Sequence, residues 1–167
     1  MSDAAAAAFW RFSLAIYARP DVAPACLVLQ DEHGRDVNLM LFCCWLGASG
    51  RGRLDRARLE AADRSVTGWR RTVVEPLRAA RRAIKAAALP DSDGIYAKAK
   101  AVELEAERLL QRQLAEGAPA ENTGVPTERR LADALANLAL YIGDAPAAPI
   151  ADAIREMAEN DFATASV

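Results

Sequence analysis

Asp36-Val37-Asn38-Leu39-Met40-Leu41-Phe42-Cys43-Cys44-Trp45-Leu46 is the most apolar run in the chain, and the only one apolar on every side. A helix without a polar face has to be buried all round. The remaining segments read as amphipathic helices, caps and loops, so they are expected to pack around it. As a helix, residues 37–46 would span ~15 Å, against ~30 Å of bilayer hydrocarbon. Burial inside a fold is therefore the better account of this run than a membrane span.

Working toward the N-terminus, Gly34 suits a left-handed helix cap, and Asp36 is placed to cap the central helix. A second helix is expected over about 22–31, with Val22, Cys26 and Leu29 on one side, Pro24 in its first turn and Asp21 as its cap. Arg19-Pro20-Asp21 separates it from a first helix that Asp3 can cap and that runs to about Tyr17. In that helix Phe9, Phe12 and Ile16 form one stripe, and Trp10, Leu14 and Tyr17 form a second, so a broad face is expected to be buried.

Toward the C-terminus, residues 47–53 are small, polar and glycine-rich and read as a hinge. A short helix is expected over 54–64, and a longer one from Ser65 or Thr67 to about Ala88, kinked at Pro76. Its narrow stripe is Trp69, Val73, Leu77, Ala80 and Ile84. Beyond the turn at 89–94, a helix over about 95–116 offers Tyr96, Ala99, Val102, Ala106, Leu109 and Leu110. These two form a long charged antiparallel hairpin over 66–116. Counting back from its turn puts Arg78 near Glu103 or Glu105. A loop over 117–126 precedes a helix from Thr127 to about Ile142 and a last one over 148–159, with residues 160–167 expected to be loose.

The expected fold is thus all-α: a single-domain bundle over 1–167 of about six or seven helices. Its parts are a core motif region at 3–47, the hinge, the hairpin, and the C-terminal helices at 127–159. Alanine, leucine, arginine and glutamate dominate, and strand-like alternation is missing. The 21 basic and 23 acidic residues nearly cancel, which argues against whole-chain attraction to nucleic acid. Three cysteines, two of them adjacent, suit neither a disulfide framework nor a metal pair. They read as buried thiols in a reducing cytoplasm. The N-terminus lacks a basic region before any apolar one, so a signal peptide is not expected.

Residues 9–46 resemble a family of uncharacterised proteobacterial proteins. The likeness rests on Phe9-Trp10-Arg11-Phe12-Ser13-Leu14, on Ala25-Cys26-Leu27-Val28-Leu29-Gln30-Asp31, and on Asp36 through Phe42 with Trp45-Leu46. It extends to Trp69–Lys85 and to Glu103 through Arg108, and ends near residue 115. The resemblance implies a bacterial, cytoplasmic, stand-alone protein, and brings no activity, cofactor or catalytic residue with it.

Four constellations invite a functional reading. Gln30, Asp31, His33, Asp36 and Asn38 cluster between two apolar helices and would suit a metal or polar ligand, but their spacing fits no calcium loop. Helix capping explains Asp36, Gly34 and Asn38 more simply. The lone His33 would have to fold back to activate Cys43 or Cys44, whose buried thiols would resist ionisation. The carboxylates Glu75, Glu103 and Glu107 lack the Glu-x-x-His of di-metal bundles and read as surface partners of arginines, so no metal or cofactor is expected. Lastly, Arg70, Arg71, Arg78, Arg81, Arg82 and Lys85 make a basic face, which Glu103, Glu105 and Glu107 partly neutralise. Without interleaved aromatics it suits nucleic acid poorly.

The leading expectation is therefore a non-enzymatic interaction or adaptor protein, using the hairpin to meet a protein partner or another copy. The alternative is a small-molecule-binding or catalytic protein with an apolar pocket near residues 30–38. A weaker one is nucleic-acid or phosphate binding through residues 70–85.

Overall fold

The computed structural model of this chain describes residues 2–162. Among the described residues the regular structure is helical: α1 (Ser2–Tyr17), α2 (Val22–Asp31), α3 (Val37–Ala48), α4 (Arg56–Trp69), α5 (Glu75–Ala87), α6 (Asp93–Glu116), α7 (Thr127–Ile142) and α8 (Ala148–Glu159). α4 and α5 are one continuous rod joined by a π turn, Arg70–Val74. The bundle therefore has seven rods, as the all-α reading expects.

The central run is buried from Asn38 onward. Every side chain from Asn38 to Leu46 is out of water, as are Gly47 and Ala48. Asp36 caps α3, its Oδ1 accepting from Leu39 N–H at 2.7 Å. Phe9 of α1 stacks on Trp45 at 5.1 Å between ring centroids and meets Phe42 edge-on at 5.6 Å. Such ring pairs add about 0.5–1.5 kcal/mol each beyond their burial.

α3 packs most extensively against α7, and Gly47 is the reason the two come so close. A Cβ on Gly47 would lie 2.1 Å from Ala134 N, so only glycine permits this approach. The stretch expected to be a hinge, 47–53, starts inside α3 and is then fastened. Arg51 N–H and Gly52 N–H both return to Leu46 O. Asn137 of α7 donates to Cys43 O and Gly52 O, and accepts from Leu54 N–H at 2.8 Å.

No helix begins at Ser65 or Thr67; α4 runs through both. Their hydroxyls bond back to Ala62 O and Asp63 O, which lets them sit inside a helix. The break comes instead at the π turn, where Glu75 N–H reaches Arg70 O just before Pro76, which has no N–H to give. Asp21 does not cap α2: its φ is +62° and its side chain makes no cap bond. Asp3 lies inside the first turn of α1 and pairs with Arg112 of α6 at 2.7 Å.

The hairpin of α5 and α6 is antiparallel, shown by its partners: Arg81 with Glu103, Arg78 with Glu107, Trp69 with Ala106 O, and Gln113 with Ser65 O. α6, however, is rotated from the expected register. Its buried positions are Glu103, Ala106, Leu110, Gln111, Leu114 and Ala115, while Val102, Leu104 and Leu109 are exposed. In α8, Ile150, Ile154 and Met157 are fully buried, as their spacing predicts. Phe162 is also buried, under Arg130 at 4.9 Å, so the tail is anchored at least that far; the rest of the segment expected to be loose, 163–167, lies outside the described residues.

Candidate functional site

The rotation of α6 and the double stripe of α1 together open a cavity. In α1 only one stripe, Phe9, Phe12 and Ile16, is buried in the core. Leu14 and Tyr17 of the other are half exposed, and with Trp10 they face a cavity of about 400 Å³. That volume lies within the range of small-molecule sites. α2 contributes Cys26, Leu27 and Gln30; α3 contributes Val37, Asn38 and Leu41. α5 and α6 close the other side with Arg78, Arg81, Arg82, Tyr96, Lys100, Glu103, Leu104, Glu107 and Gln111.

The wall nearest the core holds a chain of buried polar side chains. Ser13 Oγ donates toward Phe9 O and Gln111 Oε1, each at 3.0 Å. Gln111 Nε2 donates to Asn38 Oδ1 at 2.8 Å. Ser13, Gln111 and Asn38 are 4, 3 and 5% exposed. Three neutral polar groups from three helices are thus satisfied in series, which offsets the cost of burying them. The chain has a direction. Because Asn38 Oδ1 accepts from Gln111, its amide nitrogen is left as a donor, unpartnered among the described residues, at a position lining the cavity.

Beside that chain lies an ionic lattice. Glu103, 6% exposed, accepts from Arg78 Nε at 3.1 Å and from Arg81 through both its oxygens. Arg78 Nη2 reaches Glu107 Oε1 at 2.6 Å. Burial raises the Glu107 carboxyl above its ordinary range despite Arg78, and the Glu103 contact raises Arg81. The Cys26 thiol, also on the lining, is pushed up to about 12 by burial, and so is Cys43. Cys44, wholly enclosed, is also raised well above the ordinary thiol value, which makes all three poor nucleophiles.

The five polar residues singled out between α2 and α3 are split by the fold. Gln30 and Asn38 line the cavity. Asp31 points to solvent and binds Arg82 Nη2 at 3.0 Å, which lowers its carboxyl. His33 is exposed. Asp36 is a helix cap whose neighbours are Tyr141, the hydroxyl of which accepts Asp36 N–H at 2.7 Å, and Arg70 of the π turn at 3.9 Å. The loop is a cap with two residues lent to a cavity, and does not gather a site itself.

The expected basic face is largely paired with acids. Arg78 and Arg81 are spent on Glu103 and Glu107, Arg82 on Asp31, and Arg70 on Asp63 at 2.7 Å. Arg71, Lys85 and Glu105 remain exposed. Glu103 and Glu107, expected on the surface, are the buried or half-buried acids of the lattice, while Glu75 stays exposed. Sequence reasoning missed Ser13, Gln111 and Lys100. The available signal was Ser13, set among Phe9, Trp10, Ile16 and Tyr17 on its own helix; Gln111, with Glu107 and Arg108 one turn back, carried none. Among the described residues no three His, Cys, Asp or Glu side chains gather as metal ligands, and no single helix is long and apolar enough to cross a membrane.

Fold and cavity define an all-helical protein with an amphipathic pocket between an N-terminal three-helix core and an α5–α6 hairpin. The chain belongs to the family described as protein of unknown function DUF2390, which it matches over residues 8–114. The whole cavity lining, Trp10 through Gln111, falls within that stretch; α7 and α8 fall beyond it. Neither the curated proteins nor the solved structures contain a match to this chain.

Proposed function

We propose that this protein binds a small molecule in the cavity between α1, α2, α3, α5 and α6. The observation that carries the reading is the preformed cavity of about 400 Å³ with a buried, directed polar chain ending in the open amide of Asn38. Ligand pockets typically combine apolar walls with a few placed polar groups, and Trp10, Leu14, Leu41 and Leu104 supply the walls here. Binding is favoured over catalysis. Both oxygens of Glu103 are held by arginines, and the thiol on the lining is raised by burial with His33 out in solvent. A reducing, cytoplasmic setting fits the three free thiols.

The test is a titration of the full chain with phenylnaphthylamine, a neutral arene that fluoresces when it leaves water. Saturable one-site binding is expected, and Leu14→Trp, which fills the mouth from a half-exposed position, abolishes it. Absence of saturable binding, or binding indifferent to Leu14→Trp, contradicts the proposal.

A second reading, protein–protein contact by the hairpin, has its own support. Ile95, Val102 and Leu109 repeat every seven residues along α6, all more than half exposed. A helix places such residues in one line. This stripe, rather than the paired arginines, is the surface that would meet another copy. Sedimentation would test it: Val102→Glu should convert a dimer to a monomer, whereas a wild-type chain monomeric at high concentration would exclude self-association.

A further inference from the structure

The hydrogen-bonding groups left over in the cavity are unbalanced. Arg78 uses Nε and Nη2 on the two glutamates, and its Nη1 has no partner among the described residues. Lys100 stands exposed on the lining with three donors, and Asn38 adds its amide nitrogen. On the acceptor side, Glu103 Oε1 already accepts twice and Oε2 once, and Glu107 accepts through Oε1, which leaves its Oε2 as the one carboxylate oxygen of the pair without a partner among the described residues. Arg81 uses Nε and Nη2 on Glu103. With Arg82 set against Asp31, three lining cations (Arg78, Arg81 and Lys100) face two carboxylates, Glu103 and Glu107. A ligand that fits this lining brings acceptors and a negative charge.

The rest of the lining is apolar. Leu14, Leu27 and Leu104 sit half exposed at the mouth, an arrangement that costs apolar hydration and that a ligand body would relieve. Trp10 and Leu41 extend this surface inward.

Resting on the cavity being a ligand site, we infer that its ligand is an amphipathic organic anion. Its acidic head takes up the free donors of Arg78, Asn38 and Lys100, and its hydrocarbon or aromatic body covers Trp10, Leu14, Leu27 and Leu104. Carboxylate, sulfonate and phosphate monoester heads share the needed chemistry: a charge-assisted acceptor for guanidinium and ammonium donors. Lys100, as the exposed cation at the opening, is the residue that discriminates charge. The lattice of Glu103 and Glu107 has a different task. It holds Arg78 and Arg81 in place so that their remaining donors are presented without reorganisation.

The experiment compares two probes with the same arene on the full chain: anilinonaphthalene sulfonate, which carries an anionic head, and phenylnaphthylamine, which does not. At low salt the sulfonate is expected to bind about tenfold more tightly, the worth of one partly screened charge contact. That advantage should shrink as salt rises, since screening reaches exposed charges first. Lys100→Glu, an exposed position safe for folding, should weaken the sulfonate by about tenfold or more and leave phenylnaphthylamine unchanged. Leu14→Trp should exclude both probes.

Equal affinity for the two probes, with both excluded by Leu14→Trp, would overturn the anionic ligand while leaving the cavity reading intact. Sulfonate binding that survives Leu14→Trp would overturn it too, because the sulfonate would then lie elsewhere. Failure of both probes to bind would remove the cavity reading and the inference with it.

Discussion

Gln111 of α6 donates its amide N–H to Asn38 Oδ1 of α3 across 2.8 Å, with both side chains almost wholly out of water. This bond ties the hairpin to the central helix at the inner wall of the cavity. Gln111→Leu leaves Asn38 Oδ1 without its donor and Ser13 with only Phe9 O to donate to. The loss expected is about 2 kcal/mol, set by the desolvation of orphaned groups. Replacing Asn38 by Leu as well should cost less than the two single changes added, by about 1 kcal/mol, because the pair acts as a unit. Urea unfolding of the four proteins checks both; strict additivity would show that the bond does not couple the helices.

Gly47 predicts a steric effect. Gly47→Ala drives a Cβ into the Ala134 backbone and should destabilise the fold by about 3 kcal/mol, since neither helix axis can yield cheaply. Gly68→Ala is the matched control. It lies in α4, with nothing within 4 Å of an added Cβ, and should gain about 0.5–1 kcal/mol from reduced chain entropy. Thermal or urea unfolding showing both variants alike would refute the close approach of α3 and α7.

Much of this fold was legible in the sequence, but of the cavity only the edge near residues 30–38 was. The run 36–46 announced its burial because a ten-residue helix with no polar face has one stable place. The bounds of α7 and α8 followed from Thr127, Gly143 and Pro146, residues that start or stop helices. α6 was misread in part because Val102 and Leu109 attract assignment to a core by hydrophobicity alone. Its inward side instead carries Glu103 and Gln111, whose burial is affordable only with Arg78, Arg81, Ser13 and Asn38 brought from other helices. Periodicity along one segment does not reveal partners on another. The second stripe of α1 was read as core for the same reason: Trp10, Leu14 and Tyr17 are apolar, whether they face protein or an open cavity. The loop 30–38 attracted attention through its density of polar residues, but density near a helix end is mostly capping.

Asp36 makes stability depend on pH. Its carboxyl is raised above the ordinary 3.8, first by burial, with the Leu39 N–H bond and Arg70 opposing. A raised acid favours the folded state at low pH, and that contribution is lost as pH climbs through the folded-state value. Asp36→Asn keeps an acceptor for Leu39 N–H without the buried charge. At neutral pH it should be no less stable than the parent, and the parent should gain on it as pH falls through the raised folded-state value toward 3.8. Asp36→Ala also loses the cap and should lie about 1 kcal/mol below Asp36→Asn at every pH. Urea midpoints of parent and variants across pH decide it; a parent that loses ground to Asp36→Asn on acidification would reverse the sign.

The cysteines report on the cavity separately. Cys43 and Cys44 are enclosed in α3, whereas Cys26 lines the cavity, its thiol held up near 12. A small methanethiosulfonate reagent should therefore modify Cys26 slowly in the folded protein, and phenylnaphthylamine should slow it further. Cys43 and Cys44 should react only on unfolding. Mass spectrometry of time points checks the order; equal rates for the three thiols would mean that reagent enters only through global opening.

The central claim is that the space between α1 and α6 is a ligand site, and a crystal structure of the full chain grown with phenylnaphthylamine tests it most directly. The account predicts arene density against Trp10, Leu14 and Leu104, with Gln111 and Asn38 still bonded behind it. Density elsewhere on the surface, or α1 and α6 closed on each other with no space between them, would contradict it.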